Sequence, residues 1–271
     1  MPFGLATLSS HRKRPGSPYD LTFPDLKFFT KGSYFCYASP WGRGALISPV
    51  DYLDTISIQS ASFPANTLIQ WRWPTDVSTP VFGFMCAGYG NYDWSVVQNQ
   101  VTPRQISGIT AFTSSFSYTA TGPHYDVLHE LYLTVTPHQN DPLTDKKFEV
   151  GFIYYADAAT IAWINTGAVL GVWTDAGGKQ WKCTGRQGGA AGYYIIFFPV
   201  DELTVLSGTL DWKAALLWLT GLGLSLTRQG DASPTPLTSA FYVNGVAMGA
   251  EVIDGGGSGQ YLLSSYSASL S

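Results

Sequence analysis

Short stretches in which apolar and polar residues alternate recur along most of the chain, separated by Gly, Pro, Asn, Asp and Ser. The strand-like runs cover residues 34–37, 55–59, 68–73, 81–86, 111–118, 127–136, 148–155, 168–173, 193–199, 237–243 and 260–267. A period of two sends successive side chains to opposite faces of a strand, so each run has one face to bury and one to leave wet. Many short strands at such spacing predict a β-sandwich. In residues 211–221 the period changes, and Trp212, Ala215, Leu216, Leu219 and Leu222 recur at the spacing of one helical face. Asp211 is positioned to cap that helix, and Gly221 or Gly223 to end it. Residues 1–25 hold prolines and a basic cluster without periodicity and are expected to form a flexible N-terminal arm. No repeat and no Pro/Ser linker divides residues 26–271. The expectation is therefore a single all-β domain over 26–271, two curved antiparallel sheets with one α-helix.

Composition narrows the function classes. Charged residues are only 13% against 45% hydrophobic, which supplies a core and excludes a charge-rich disordered chain. The net charge of -4 offers no basic field for a phosphate backbone, so nucleic acid is not an expected partner. The longest apolar stretch, residues 214–226, is interrupted by Thr220, Gly221, Gly223 and Ser225 and is shorter than the ~18 residues of a membrane-spanning helix. Cys36, Cys86 and Cys183 are far apart and lack the paired spacing of a zinc or redox site, and three thiols allow at most one disulfide. His11, His124, His129 and His138 show no ligand spacing, and His129 reads as a packed strand residue. The cluster His11-Arg12-Lys13-Arg14 follows a weakly apolar start, the reverse of a secretory signal. That order leaves either a cytoplasmic protein or one in which Met1 replaces a signal. Aromatic residues reach 15%, and flat rings suit both strands and the apolar faces of sugars.

With only four glutamates, Glu130, Glu149, Glu202 and Glu251, each can be weighed singly. In residues 147–155 the alternation puts Phe148, Val150, Phe152 and Tyr154 on one face and Glu149, Gly151, Ile153 and Tyr155 on the other. Glu149 is then either a solvated residue of an exposed face or a cleft carboxylate. Glu130 shares a face with Leu128 and Tyr132, while Val127, His129, Leu131 and Leu133 take the opposite one. A carboxylate between large apolar side chains is costly unless paired, so Glu130 is either functional or a satisfied structural acid. Glu251 follows an Asn244-Gly245 turn signal and precedes Gly255-Gly256-Gly257, with small neighbours around its carboxyl. Glu202 reads as a loop acid. Two glutamates on neighbouring strands would meet the ~5–5.5 Å separation that retaining glycosidic cleavage requires.

The same residues resemble family 12 glycoside hydrolases, the β-jelly-roll endoglucanases and xyloglucan hydrolases. Phe148-Glu149-Val150 is similar to the family's nucleophile motif, and Gly249-Ala250-Glu251-Val252 before Gly255–Gly257 to its acid/base motif. Asp126-Val127-Leu128-His129-Glu130-Leu131 resembles the strand preceding the nucleophile, and Trp41-Gly42 after residues 34–37 an early Trp-Gly motif. Gly171-Val172-Trp173, the aromatic strand 193–198 and the helix beginning near Asp211 follow in the family's order. The resemblance implies a concanavalin-like jelly roll with Glu149 as nucleophile, Glu251 as acid/base and Glu130 orienting Glu149. It implies a substrate platform at Trp41; Trp71, Trp73, Trp94, Tyr132, Tyr155 and Trp163 are candidate additional platforms because flat rings suit sugar faces. It implies an extracellular, monomeric enzyme acting on β-glucan, with no membrane partner and with neither metal nor organic cofactor, since two carboxyls suffice for both half-reactions. The family's Met and Trp after the nucleophile are replaced by Gly151 and Ile153, its paired Asn by Ala38-Ser39 and its orienting Asp by Glu130. The first two replacements are expected to widen the cleft. The rival readings are a non-catalytic carbohydrate-binding sandwich and a purely structural jelly roll.

Overall fold

The computed structural model describes residues 17–92, 101–137, 145–188, 192–201 and 204–271. Two sheets carry the chain. The smaller has the order β1 (Leu21–Pro24), β4 (Leu53–Ile58), β5 (Thr67–Trp73), β19 (Gly257–Leu270), β8 (Phe112–Thr121) and β14 (Ser207–Asp211). The main path of the larger one runs β11 (Ala168–Thr174), β12 (Gln180–Gln187), β13 (Tyr193–Pro199), β10 (Lys146–Tyr155), β9 (Tyr125–Thr134), β18 (Gly245–Ile253), β6 (Val81–Gly90), β3 (Tyr34–Ser39) and β2 (Phe28–Lys31). The short β17 (Tyr242–Val243) and β7 (Arg104–Gln105) extend it beside β9, and β15 (Ser225–Leu226) and β16 (Thr235–Pro236) form a separate ribbon. This is the expected all-β jelly-roll sandwich.

Between the sheets lies the main core, and the alternation read from the sequence decides which side chains enter it. Val127, His129, Leu131 and Leu133 of β9 and Phe148, Val150, Phe152 and Tyr154 of β10 all point inward. They meet Ile56, Ile69, Phe116 and Tyr261 of the smaller sheet, each fully or nearly fully buried. His129 is fully enclosed, and burial lowers its pKa to about 3, so it is a neutral packing residue bonded to the Tyr154 and Tyr266 hydroxyls. Cys36, Cys86 and Cys183 are all buried and form no disulfide among the described residues.

Several expectations need correction. A second helix, α1 (Ala158–Asn165), precedes the expected one, α2 (Trp212–Gly221). Asp157 caps α1 by accepting from the Thr160 amide at 2.8 Å, and Asp211 caps α2 from the Ala214 amide at 2.9 Å. The apolar stripe of α2 stands out because Trp212, Ala215, Leu216 and Leu219 seat on one core; α1 is apolar nearly all round, so no stripe stands out, and it buries Thr160 and Ile164. Not every strand pair is antiparallel: β10 and β13 run parallel, because the chain between them passes through α1 and the β11–β12 hairpin. The arm drawn to residue 25 is too long, since Leu21–Pro24 ladders with β4 and buries Phe23. Among the described residues no helix is long and apolar enough to cross a membrane.

Trp73 and Trp71 are core residues, not platforms. Trp73 is 2% exposed, stacks on Tyr52 at 4.1 Å and donates through Nε1 to the buried Asp54 carboxyl at 2.9 Å. Trp73→Ala is expected to cost at least about 3 kcal/mol in urea denaturation, from the lost ring volume and the Asp54 oxygen left without a donor.

Candidate active site

Three adjacent strands, β10, β9 and β18, place the acids on the face of the larger sheet turned away from the core. On β9 the even-numbered positions Asp126, Leu128, Glu130 and Tyr132 occupy that face. In register, Glu149 stands opposite Tyr132, Glu130 lies between Gly151 and Ala247, and Glu251 stands opposite Asp126. Glu149 and Glu251 are therefore not on neighbouring strands as expected. β9 lies between them and supplies Glu130 to the intervening space.

These side chains line a groove of about 1110 Å³ that crosses the sheet. A second apolar cluster, including Phe35, Phe84, Leu128, Ile153, Ile196 and Phe198, surrounds the acids on this face and is closed in part by Ile164 of α1. The exposed Trp41, beyond the end of β3, and the half-exposed Trp163 on α1 belong to opposite halves of the sheet and both line the groove. The guanidinium of Arg186 lies 3.7 Å from the Trp163 ring centre and donates to the Trp163 carbonyl and the Thr166 hydroxyl, which braces the end of α1. Tyr132 also lines the groove, stacked on Tyr92 at 5.3 Å with the Lys146 ammonium 3.9 Å above its ring.

Tyr155 does not belong to this group. An irregularity in the β9–β10 ladder between Ile153 and Tyr155 pairs Tyr155 with Val127, so its ring turns to the core side and stacks on Tyr125 at 4.7 Å. Trp94 lies outside the described residues, as does Glu202. Gly151 does not widen the groove: a Cβ there would come within 2.7 Å of Leu128 Cδ1, so the neighbouring side chain has taken the space. Ile153 is likewise packed into the second apolar cluster. Sequence reasoning missed Tyr92, Tyr194 and Asp126 as site residues. The alternation that assigned Glu130 a face also put Asp126 on it, but no comparable signal marks Tyr92, which reaches Glu130 from beyond the end of β6.

Burial and like charge dominate the electrostatics. Glu130 is held well above the usual carboxyl range, first by burial, then by the Glu149 charge and hydrogen bonding to it; the Tyr92 hydroxyl, donating to Glu130 Oε1, pulls the other way. Glu251 is raised by burial, then by the Asp126 charge and then by Glu149. Asp126 is raised by burial and then by Asp157. Tyr194, directly beside Glu149 on β13, is raised by burial and by the surrounding carboxylates. Among the described residues no group of three or more His, Cys, Asp or Glu is arranged to hold a metal ion. What the arrangement can do is keep one carboxyl protonated beside another that is ionised.

The raised carboxyls carry a stability consequence. A folded-state pKa above the unfolded one means the native state binds the proton more tightly, so stability is greatest at low pH and falls as pH rises through the window. For Glu130, whose ordinary value is 4.5, the decline starts near pH 4.5 and runs upward. Glu130→Gln is expected to flatten the fall in denaturation midpoint between about pH 5 and pH 7; an unchanged slope would contradict this account.

No protein-family model matches the chain, and no curated protein matches it. Solved structures do. A family 12 xyloglucanase from Bacillus licheniformis, in complex with ligand, superposes with a TM-score of 0.70 at 20% identity, covering 92% of this chain and 98% of that one. Endoglucanase 3 of Trichoderma harzianum, from the same family, gives 0.68 at 19% identity over 95% of this chain and 100% of the other. A metagenome-derived family 12 endoglucanase gives 0.68 at 15% identity over 92% and 97%. At such low identity it is the architecture that is shared, and over almost its whole length this chain has the fold of the family 12 glycoside hydrolases.

Proposed function

We propose that this protein is a retaining, endo-acting glycoside hydrolase that cleaves β-1,4-glucosidic bonds in cellulose-type, mixed-linkage or xyloglucan chains. One observation carries the reading: Glu149, Glu130 and Glu251 stand on the three adjacent strands β10, β9 and β18 and line one groove that crosses the sheet. The names of the similarly folded proteins, xyloglucanase and endoglucanase, support the substrate class. Exposed Trp41 and Trp163 in opposite halves of the groove support binding of a chain on both sides of the cleaved bond, as endo action requires.

The chemistry follows from charge. Glu149 attacks the anomeric carbon as a carboxylate while Glu251 gives its proton to the departing glycosidic oxygen, so one C–O bond forms as the other breaks. Glu251 is protonated at the outset because burial, Asp126 and the Glu149 charge all oppose its ionisation. Once Glu149 is esterified its charge is gone and Glu251 holds a proton less tightly. Glu251 then takes a proton from water, which attacks the anomeric carbon and releases Glu149. Glu130 orients Glu149 through their hydrogen bond, and Tyr92 steadies Glu130 from the other side.

Glu149→Gln and Glu251→Gln are each expected to lower turnover by about 10²–10⁴-fold on a polymer that the wild type cleaves, while oligosaccharide affinity measured by calorimetry persists. Glu130→Ala is expected to slow turnover without unfolding the protein. Proton NMR of the first product should show the anomeric configuration of the substrate. Wild-type protein that binds β-1,4-glucan, mixed-linkage glucan and xyloglucan yet leaves all three intact would instead be a carbohydrate-binding sandwich.

A further inference from the structure

One buried carboxyl in the groove has no part in the two displacements. Asp126 is 3% exposed and lies directly across the β9–β18 ladder from Glu251, on the same face. Residues so paired have Cβ atoms about 4.5–5.5 Å apart, and two like charges there are unfavourable. Asp126 Oδ1 is buried without a hydrogen-bond partner among the described residues. An enclosed carboxylate oxygen left bare costs free energy unless a proton or donor meets it. Glu251 itself is only partly buried and opens to the groove, and Asp126 stands beside it on the same face and lines the same groove.

We propose that Asp126 is the positioning residue of Glu251: the two carboxyls, register partners on adjacent strands, hold one proton between them and so keep Glu251 ready to act as an acid. This rests on the reading of Glu251 as acid/base but concerns a different residue. Among the described residues, the titratable groups that line the groove around the pair include Glu149 on β10, Glu130 on β9, Tyr194 on β13, Asp157 at the start of α1, His124 before β9 and Asp254 after β18, with Cys86 on β6 and the cations Lys146 and Arg186 farther along it. Glu149 and Asp157 add negative charge, which favours the shared proton. His124, with Nδ1 3.7 Å from the Asp157 carboxyl and its side chain half exposed, offsets part of the Asp157 charge only when protonated. The Asp254 carboxyl accepts from the Thr79 amide. Glu130 interacts chiefly with Glu149 and Tyr92.

The chain's four glutamates make the test direct. Full-length protein carrying ¹³C at the glutamate side-chain carboxyl gives one resonance per glutamate, and Glu251→Gln identifies the one to follow. In wild type the Glu251 resonance is expected to keep titrating to well above the ordinary glutamate range. In Asp126→Asn, which preserves side-chain shape, that upper step should vanish and the midpoint fall by at least about one pH unit. Asp126→Ser, should the first variant misfold, is expected to move it the same way. A Glu251 curve that neither folded variant alters overturns the proposal. On a polymer that wild type cleaves, the alkaline limb of kcat/KM should move down with the NMR midpoint, whereas a merely structural Asp126 would lower activity without moving the limb. Should no polymer be cleaved, the hydrolase reading fails, but the titration still decides the pairing.

Discussion

Carboxyls set into an apolar face of a single sheet cannot all be ionised, and the site is organised around that constraint. Asp126, Glu130 and Glu251 are each raised by burial first and by a neighbouring acid second. Tyr194, Leu128, Ile153 and Phe84 pack around these carboxyls on the same face. Lys146 and Arg186, cations of the same groove, lie over the Tyr132 and Trp163 rings. Burial and like charge together thus favour retention of protons among these carboxyls.

Such a strained charge arrangement needs a rigid support, and the opposite face of the same strands supplies it. Each strand that presents an acid to the groove sends its alternate residues into the core between the sheets. Val127, Leu131 and Leu133 anchor Glu130, and Phe148, Val150 and Phe152 anchor Glu149. Moving an acid by one position in register would exchange it with a core residue, so packing on one side holds the chemistry on the other. Interior close packing resists such displacement far more than a surface loop would. The groove wall is built differently. Helix α1 is laid over the sheet and braced by Arg186 hydrogen bonds at its end, and a local irregularity in β10 removes Tyr155 from the groove.

How much of this could be read from the chain alone depends on which interactions set each feature. The period of two assigned Phe148, Val150, Phe152 and Tyr154 to the core and Glu149 and Glu130 to the other face, because alternation is a property of the strand backbone and survives in any register. The helix over residues 212–221 was legible because its apolar stripe and its Asp211 cap are local. Helix α1 was not, since its surface carries no comparable stripe and only its Asp157 cap marks it.

What only the tertiary structure decided is which distant residues share a neighbourhood. Trp73 and Trp41 are the same residue type, one ending β5 and the other just past β3, yet one seals the core on Asp54 and the other stands in solvent at the groove. That β9 intervenes between Glu149 and Glu251, that Asp126 stands beside Glu251, and that Leu128 fills the space at Gly151 all follow from strand order and register. Local composition establishes which face a side chain takes. Pairing between strands far apart in the chain is settled by the collective packing of two sheets, which no short stretch of residues encodes.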